Sequence, residues 1–348
     1  MPLRAPAYYT LAPEAEQMDS IDVLIVTHKA GSLLDDCLRS VKDQTLLPRQ
    51  IVVVVSSDVE IAGHDDVQIL RTSRPSDFAP AANLGLSHLG SHPVVLLNDD
   101  TVLASDFLEE LSCAYTGPGI YQPRILRPDG AIDNTGHWVF LDGFNVARDR
   151  GTTILRGSGP CGAFSGAAVM FSPEVLAQVG VFDSEFGAYG EDLDLSLRAI
   201  RQGFTIHHVP EATVIHHLGA TYGRTSPRKV FLVERNRTRA AIRSLPWAAI
   251  VSLPATSMFR LGVMATAAMQ GRGLGAGIGW QGAVAAMAGL AVGTIGAPNA
   301  LRKRGRDKKY WTKGSVAMWR HMREQAPSIE ALAGVDISPR EPPPTTDR

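Results

Sequence analysis

An alternation near the start of the chain restricts its fold more than any other feature. Residues 21–27 (IDVLIVT) and 51–55 (IVVVV) are short aliphatic, β-branched runs, and between them Leu34, Leu38 and Val41 recur at helical spacing. The pattern returns with a strand over 67–71, a helix over 79–88 and a strand over 94–97. Successive βαβ units of this length close right-handed and build a mostly parallel sheet with helices on both faces, which is why the strand runs are mostly apolar. Ligands of such sheets bind beyond the carboxyl ends of the strands. There VVLLNDDTVL, residues 94–103, ends its strand on two adjacent acids, Asp99 and Asp100. A turn accounts for them, because Asn and Asp bond nearby backbone, and so does a metal site.

Further along, 121–166 is rich in Gly, Pro and Asp and reads as loops with short antiparallel strands. Residues 167–171 read as a buried strand, 191–201 as a helix, and 204–218 as two short strands separated by Pro210 and Glu211. After Arg228 comes a basic helical run with Arg235, Arg237, Arg239 and Arg243, then apolar stretches at 245–269 and 274–297, then RKRGRDKK at 302–309. Those stretches are long enough to span a bilayer, but the first contains Pro254 and Arg260 and the second is mainly Gly and Ala. Basic flanks and Trp247, Trp311 and Trp319 favour helices lying at the cytoplasmic face of the membrane. Packing on the catalytic domain or on another subunit is the other reading. The expected organisation is a loose arm at 1–19, an α/β domain at 20–243, a helical, membrane-associated region at 244–325 and a disordered tail at 326–348. A net charge of −1 gives no footprint for nucleic acid, and the three scattered cysteines read as reduced packing thiols of a cytosolic protein. The N-terminus has no secretory-signal pattern.

Four segments carry a family likeness: VLIVTHKAGSLLDDCLRSVKDQ, SDFAPAANLGLSHL leading into VVLLNDDTVL, VGVFDSEFGAYGEDLDLSLRAIRQGF, and VPEATVIHHLG. Over about residues 20–240 their order and spacing resemble the family 2 glycosyltransferases of the GT-A fold, particularly the rhamnosyltransferase-like branch. The resemblance implies an inverting hexosyltransferase with a nucleotide-sugar donor, whose departing diphosphate is neutralised by Mg²⁺ or Mn²⁺. It implies metal binding by Asp100 and by His216, with His217 as the alternative, and donor contacts from Asn98 and Asp99. Asp192 matches the catalytic base, Glu191 a group that orients acceptor or base, and Asp194 a support of the loop. Thr27 and His28 match the nucleotide-binding end of the first strand, and Asn83 a position near the donor, although a helix-face role fits it equally. Ser56 or Ser57 stands where most relatives carry an Asp for the nucleoside, unless Asp58 reaches back. His207 and His208 read as structural, and the basic helix from Arg224 to Arg243 as a phosphate contact or a solvated face.

The resulting expectation is transfer of a sugar to a polyprenyl-linked or other cell-surface glycan at the cytoplasmic membrane face. The sugar is rhamnose from dTDP-rhamnose, with galactofuranose or another hexose behind it, and a homo-oligomer is left open. The competing readings are a nucleotidyltransferase, for which HKAGSLL is a poor phosphate loop, and a non-catalytic scaffold of a glycan-assembly complex.

Overall fold

The computed structural model describes residues 20–29, 31–59, 61, 66–73, 77–153, 155, 159–217, 226–270 and 279–325. The arm at 1–19, the tail at 326–348 and Arg224 lie outside the described residues. The first half follows the alternation: β1 (Asp22–Thr27), α1 (Ser32–Lys42), β2 (Gln50–Val55), β3 (Gln68–Arg71), α2 (Phe78–His88) and β4 (Val94–Asn98). These strands lie in the order β3-β2-β1-β4, all parallel. Strand β1 shows why both of its faces are apolar. Leu24 and Val26 pack with Ala79, Ala82 and Leu86 of α2, whereas Val23 and Ile25 pack with Leu34, Cys37 and Leu38 of α1. Helix α2 lies so close that a Cβ on Gly85 would come within 2.2 Å of Leu24 Cδ1. Because β2 and β4 flank β1 on opposite sides, a crevice opens between the carboxyl ends of β1 and β4, the usual ligand position in such sheets.

The chain then continues through β5 (Thr101–Leu103), α3 (Phe107–Cys113), β6 (Ile120–Leu126), β7 (Ile132–Asn134), β8 (His137–Val139), β9 (Asn145–Ala147), β10 (Ala168–Phe171), α4 (Pro173–Gln178), α5 (Glu191–Arg201) and β11 (Ile206–His216). Strand β10 runs antiparallel between β4 and β6, β11 runs parallel to β6, and β5 closes that edge, giving a mixed nine-stranded sheet. Strands β8 and β9 form a separate hairpin. The two short strands expected over 204–218 are one strand whose register shifts between Val209 and Thr213. Pro210 falls in that shift, where the ladder does not need the N–H that proline lacks.

Five α-helices follow among the described residues: α6 (Pro227–Ser244), α7 (Trp247–Met269), α8 (Gly279–Ile295), α9 (Ala297–Asp307) and α10 (Ser315–Gln325). The Gly and Ala content of α8 is a packing device. A Cβ on Gly289 would meet the Phe231 carbonyl oxygen at 2.5 Å, and one on Gly293 the Arg235 carbonyl oxygen at 2.8 Å, so α8 lies directly on the α6 backbone. The basic run in α6 is not wholly a solvated face. Arg237 is buried against Glu234 (2.8 Å), and Arg243 is buried among Asp183, Asp194 and Asp307. Arg260, the charge inside the first apolar stretch, turns inward to Asp142 at 2.8 Å and Glu234 at 2.9 Å. Trp311 lies under the guanidinium groups of Arg201 and Arg304, and Trp319 packs against the core, so neither is a free interfacial indole. The outer face of α7 and α8 is apolar: Val251 is 79% exposed, Phe259 60% and Trp280 75%. Among the described residues, α7 is long and apolar enough to cross a membrane, and α8 with α9 forms a pair bent by 55°. Cys37 and Cys161 are buried and Cys113 is exposed, all as free thiols.

Candidate active site

The crevice at the ends of β1 and β4 is a cavity of about 450 Å³. Its floor is Val26, His28 and the Asn98-Asp99-Asp100 turn, and its far wall is Tyr189, Gly190, Glu191 and Asp192 at the start of α5. Strand β9, Arg150 and Lys229 of α6 close the remaining side.

The two acids that end β4 have different partners. Asp99 Oδ2 accepts a 2.5 Å hydrogen bond from Thr27 Oγ1, while burial and the adjacent Asp100 charge raise its pKa. Asp100 Oδ1 lies 3.2 Å from His216 Nε2, brought alongside because β11 pairs with β5. On its other side His216 Nδ1 faces Asp133 Oδ2 at 3.6 Å. Burial alone would depress the imidazole, but the flanking carboxylates of Asp100 and Asp133 raise it to about 9. Both Asp100 Oδ1 and His216 Nδ1 are buried without a protein partner in hydrogen-bond geometry. A buried carboxylate oxygen beside an imidazole fits a divalent cation only where the cation takes the place of the imidazolium proton. Among the described residues no three His, Cys, Asp or Glu side chains gather as a complete ligand set, so any cation would draw further ligands from substrate and water. His217 donates its backbone N–H to the Asp100 carbonyl at 2.8 Å.

Across the cavity, Glu191 and Asp192 open α5, where the helix N-terminus favours negative charge. Burial raises both carboxyls, and the Asp192 charge adds to the rise at Glu191. The charge of His137 works against the rise at Asp192, and His137 itself, another wall residue, is depressed by burial. Asp194, one turn on, is fully buried in ion pairs with Arg198 (2.8 Å) and Arg243 (3.0 Å). The loop before α5 is pinned from α6: the buried Asn236 Nδ2 donates to the carbonyls of Phe186 (3.0 Å), Ala188 (3.2 Å) and Tyr189 (2.5 Å). This brace holds Tyr189 at φ 64°, an uncommon conformation for a bulky residue.

On the nucleotide side, Ser56 is buried beneath His28 and shares a 2.5 Å hydrogen bond with its Nδ1. The residue at the departure from the family pattern therefore orients a wall imidazole. Asn83 belongs elsewhere: its amide bonds the Phe182 backbone in both directions and reaches Ser184 Oγ, which is the helix-face role. His207 stacks on Tyr121 at 4.9 Å between ring centroids. Asp133, His137, Arg150, Lys229 and Asn236 were not singled out from sequence. The first three come from the Gly- and Pro-rich segment, whose lack of periodicity gives no signal. Lys229 and Asn236 sit in a basic run that reads as surface.

Comparison with known proteins follows from this geometry. The sequence pattern of glycosyl transferase family group 2 matches residues 93–289. Among curated proteins, the N-acetylglucosaminyl-diphospho-decaprenol L-rhamnosyltransferase of Mycobacterium tuberculosis (strain CDC 1551 / Oshkosh) is 24% identical over 241 residues, covering 59% of this chain and 78% of that protein. A dTDP-rhamnosyl transferase of Shigella flexneri is 22% identical over 167 residues, covering 46% and 55%. Among solved structures, GalNAc-T7 with UDP, GalNAc and Mn²⁺ superposes with a TM-score of 0.55 at 16% identity, covering 71% of this chain and 51% of that one. The chain thus spans about half the length of GalNAc-T7, and the likeness is one of fold, the GT-A arrangement of a mixed sheet covered by helices. With a family pattern matched over more than half its length, and a cavity at the switch point of a GT-A sheet, the chain belongs to glycosyl transferase family group 2 and is a glycosyltransferase with a nucleotide-sugar donor.

Proposed function

We propose that the protein is a metal-dependent, inverting hexosyltransferase that moves rhamnose from dTDP-rhamnose to a polyprenyl-diphosphate-linked or other cell-surface glycan. The observation that carries this reading is that one cavity is lined both by Asp100, whose Oδ1 lies 3.2 Å from His216, and by Asp192. Asp192 takes the proton from an acceptor hydroxyl as that oxygen attacks the anomeric carbon from the side opposite the leaving diphosphate, which inverts the centre. Burial and the Asp192 charge raise Glu191, which favours its protonated form, and in that form it can donate a hydrogen bond to the acceptor. Asp100 and His216 would hold a divalent cation, Mg²⁺ or Mn²⁺, whose chemistry is to neutralise charge on the diphosphate. Asp99, Asn98 and His28 line the donor side. The choice of sugar is supported by the two rhamnosyltransferase relatives.

The exposed apolar face of α7 and α8, followed by the exposed cations Arg302, Arg306, Lys308 and Lys309, supports contact with the cytoplasmic face of a membrane. Calorimetry with dTDP, UDP and GDP, each with and without Mn²⁺, tests the donor site. Metal-dependent preference for dTDP is expected, and preference for UDP or GDP would move the sugar away from rhamnose. Binding of none of them by folded protein would favour the scaffold.

A further inference from the structure

Two cations on the cavity wall have no part in the mechanism above. Arg150 follows β9 and Lys229 lies in the first turn of α6, and both line the cavity that holds Asp100 and Asp192. Asp133 fixes the guanidinium: Arg150 Nη2 donates to Asp133 Oδ1 at 2.6 Å and Nε to the Asp133 carbonyl oxygen at 3.2 Å. That engages one edge and leaves Nη1 without a protein acceptor among the described residues. The half-buried Lys229 ammonium has no carboxylate partner among the described residues, and lies 5.0 Å from the ring centroid of Tyr189. Asp133 engages Arg150 (2.6 Å), Asn134 (3.2 Å) and the His216 imidazole (3.6 Å) through its oxygens, and acts on Lys229 through its charge alone. Burial and the Arg150 charge accordingly hold Lys229 below the usual lysine range.

Partly desolvated like charges are unfavourable until an anion joins them. Phosphate oxygens suit both donors, the planar edge of the arginine and the point charge of the lysine. Resting on the glycosyl-transfer reading, we propose that Arg150 and Lys229 form a diphosphate-binding subsite of the cavity. The diphosphate is that of the nucleotide donor or that which links the acceptor sugar to its lipid, and both present the same pair of phosphate groups.

The test is calorimetry on the full chain, in EDTA so that no divalent ion contributes and again in Mn²⁺. The donor probes are dTDP, UDP and GDP against their nucleosides. The acceptor probes are N-acetylglucosamine joined to a short alkyl chain through a diphosphate, and the same alkyl glycoside without it. Lys229→Gln and Arg150→Gln are each expected to weaken diphosphate binding by about tenfold or more, as loss of a charge-assisted bond does, while Lys229→Arg retains it. Loss confined to nucleotides assigns the subsite to the donor; loss confined to the alkyl diphosphate sugar assigns it to the acceptor. Unchanged binding of both classes by both Gln variants overturns the subsite and leaves the transferase reading standing. Wild-type protein that binds no diphosphate compound in either buffer overturns both. Inorganic pyrophosphate in EDTA gives a check independent of variant folding: it should bind wild-type protein and be displaced by the favoured probe, and its failure to bind overturns the subsite.

Discussion

Asp192 and Glu191 are neighbours on one helical turn, yet their environments separate their roles. The repulsion between two carboxylates is mutual and burial raises both; the proposed mechanism requires that Glu191, the less exposed of the two, hold its proton and that Asp192 give its own up. Asp192→Asn should lower transfer by about 10²–10⁴-fold, the usual worth of a general base, with nucleotide affinity unchanged by calorimetry. Parallel loss of nucleotide binding would make Asp192 structural instead. For Asp192 as the proposed base the sign of the pH dependence follows: it would work deprotonated and burial raises its pKa, so the rate should fall as pH drops through a value above that of an ordinary aspartate. Glu191→Gln exchanges a neutral acid for a neutral amide and should leave that acid limb in place in a kcat/KM profile. A limb that drops to the ordinary aspartate range in this variant would mean that Glu191 is ionised. Asp100, Glu191, Asp192 and His216 could be picked out in the sequence because the segments that carry them resemble those of a known family; by position alone the first reads as a turn and the acids of α5 as complements of a helix dipole. Asp133, His137 and Arg150 could not. His137 and Arg150 line the cavity and Asp133 stands behind Arg150 and His216, an arrangement that follows from β7 pairing with β6 and from the β8–β9 hairpin, and pairing between short, aperiodic segments leaves no trace in spacing.

Among the elements, the parallel half of the sheet was legible because strands buried on both faces need unbroken apolar runs. The C-terminal helices were harder to read because their signals describe the wrong surroundings. A glycine- and alanine-rich helix looks weakly apolar, when its small residues are what lets α8 rest on α6. An arginine inside an apolar stretch looks like a cost, when Arg260 completes a buried network with Asp142, Glu234 and Arg237. That network ties α7 to the loop at 140–144, whose Phe144 lines the cavity and lies under the Arg260 guanidinium at 4.1 Å. Arg260→Met leaves two carboxylates short of one buried partner and should cost about 3–5 kcal/mol in urea unfolding; an unchanged midpoint would show that Arg237 suffices. Asn236→Ala acts on a different joint. It strips one amide from three carbonyls of the loop before Glu191, which should cost about 1–3 kcal/mol and lower kcat while nucleotide affinity holds. Equal losses in both would point to general unfolding of the site.

For the whole molecule, the question is what covers the outer face of α7 and α8. A cut after residue 243, natural from composition alone, does not isolate that face. It would remove Met318 and Met322 from the core, the Asp307 partner of Arg243, and Arg304, whose guanidinium caps the end of α6 through the carbonyls of Ile242 (3.2 Å), Arg243 (3.2 Å) and Leu245 (2.7 Å). Such a truncation measures folding. Substitution on the exposed face separates the two effects, because Val251, Phe259 and Trp280 are mostly solvent-exposed and their replacement leaves the core intact. If the face rests on lipid, the wild-type chain should sediment with anionic vesicles, less so at high salt because each basic residue near the surface contributes only about 1 kcal/mol of screened attraction. Val251→Glu, Phe259→Glu and Trp280→Glu together should then keep the protein in the supernatant with its melting temperature and its transfer to a water-soluble acceptor unchanged. Continued sedimentation of the triple variant would move the contact to another surface. Wild-type protein that ignores vesicles but self-associates in sedimentation velocity, with the triple variant monomeric, would instead assign the apolar face to a second copy of the chain.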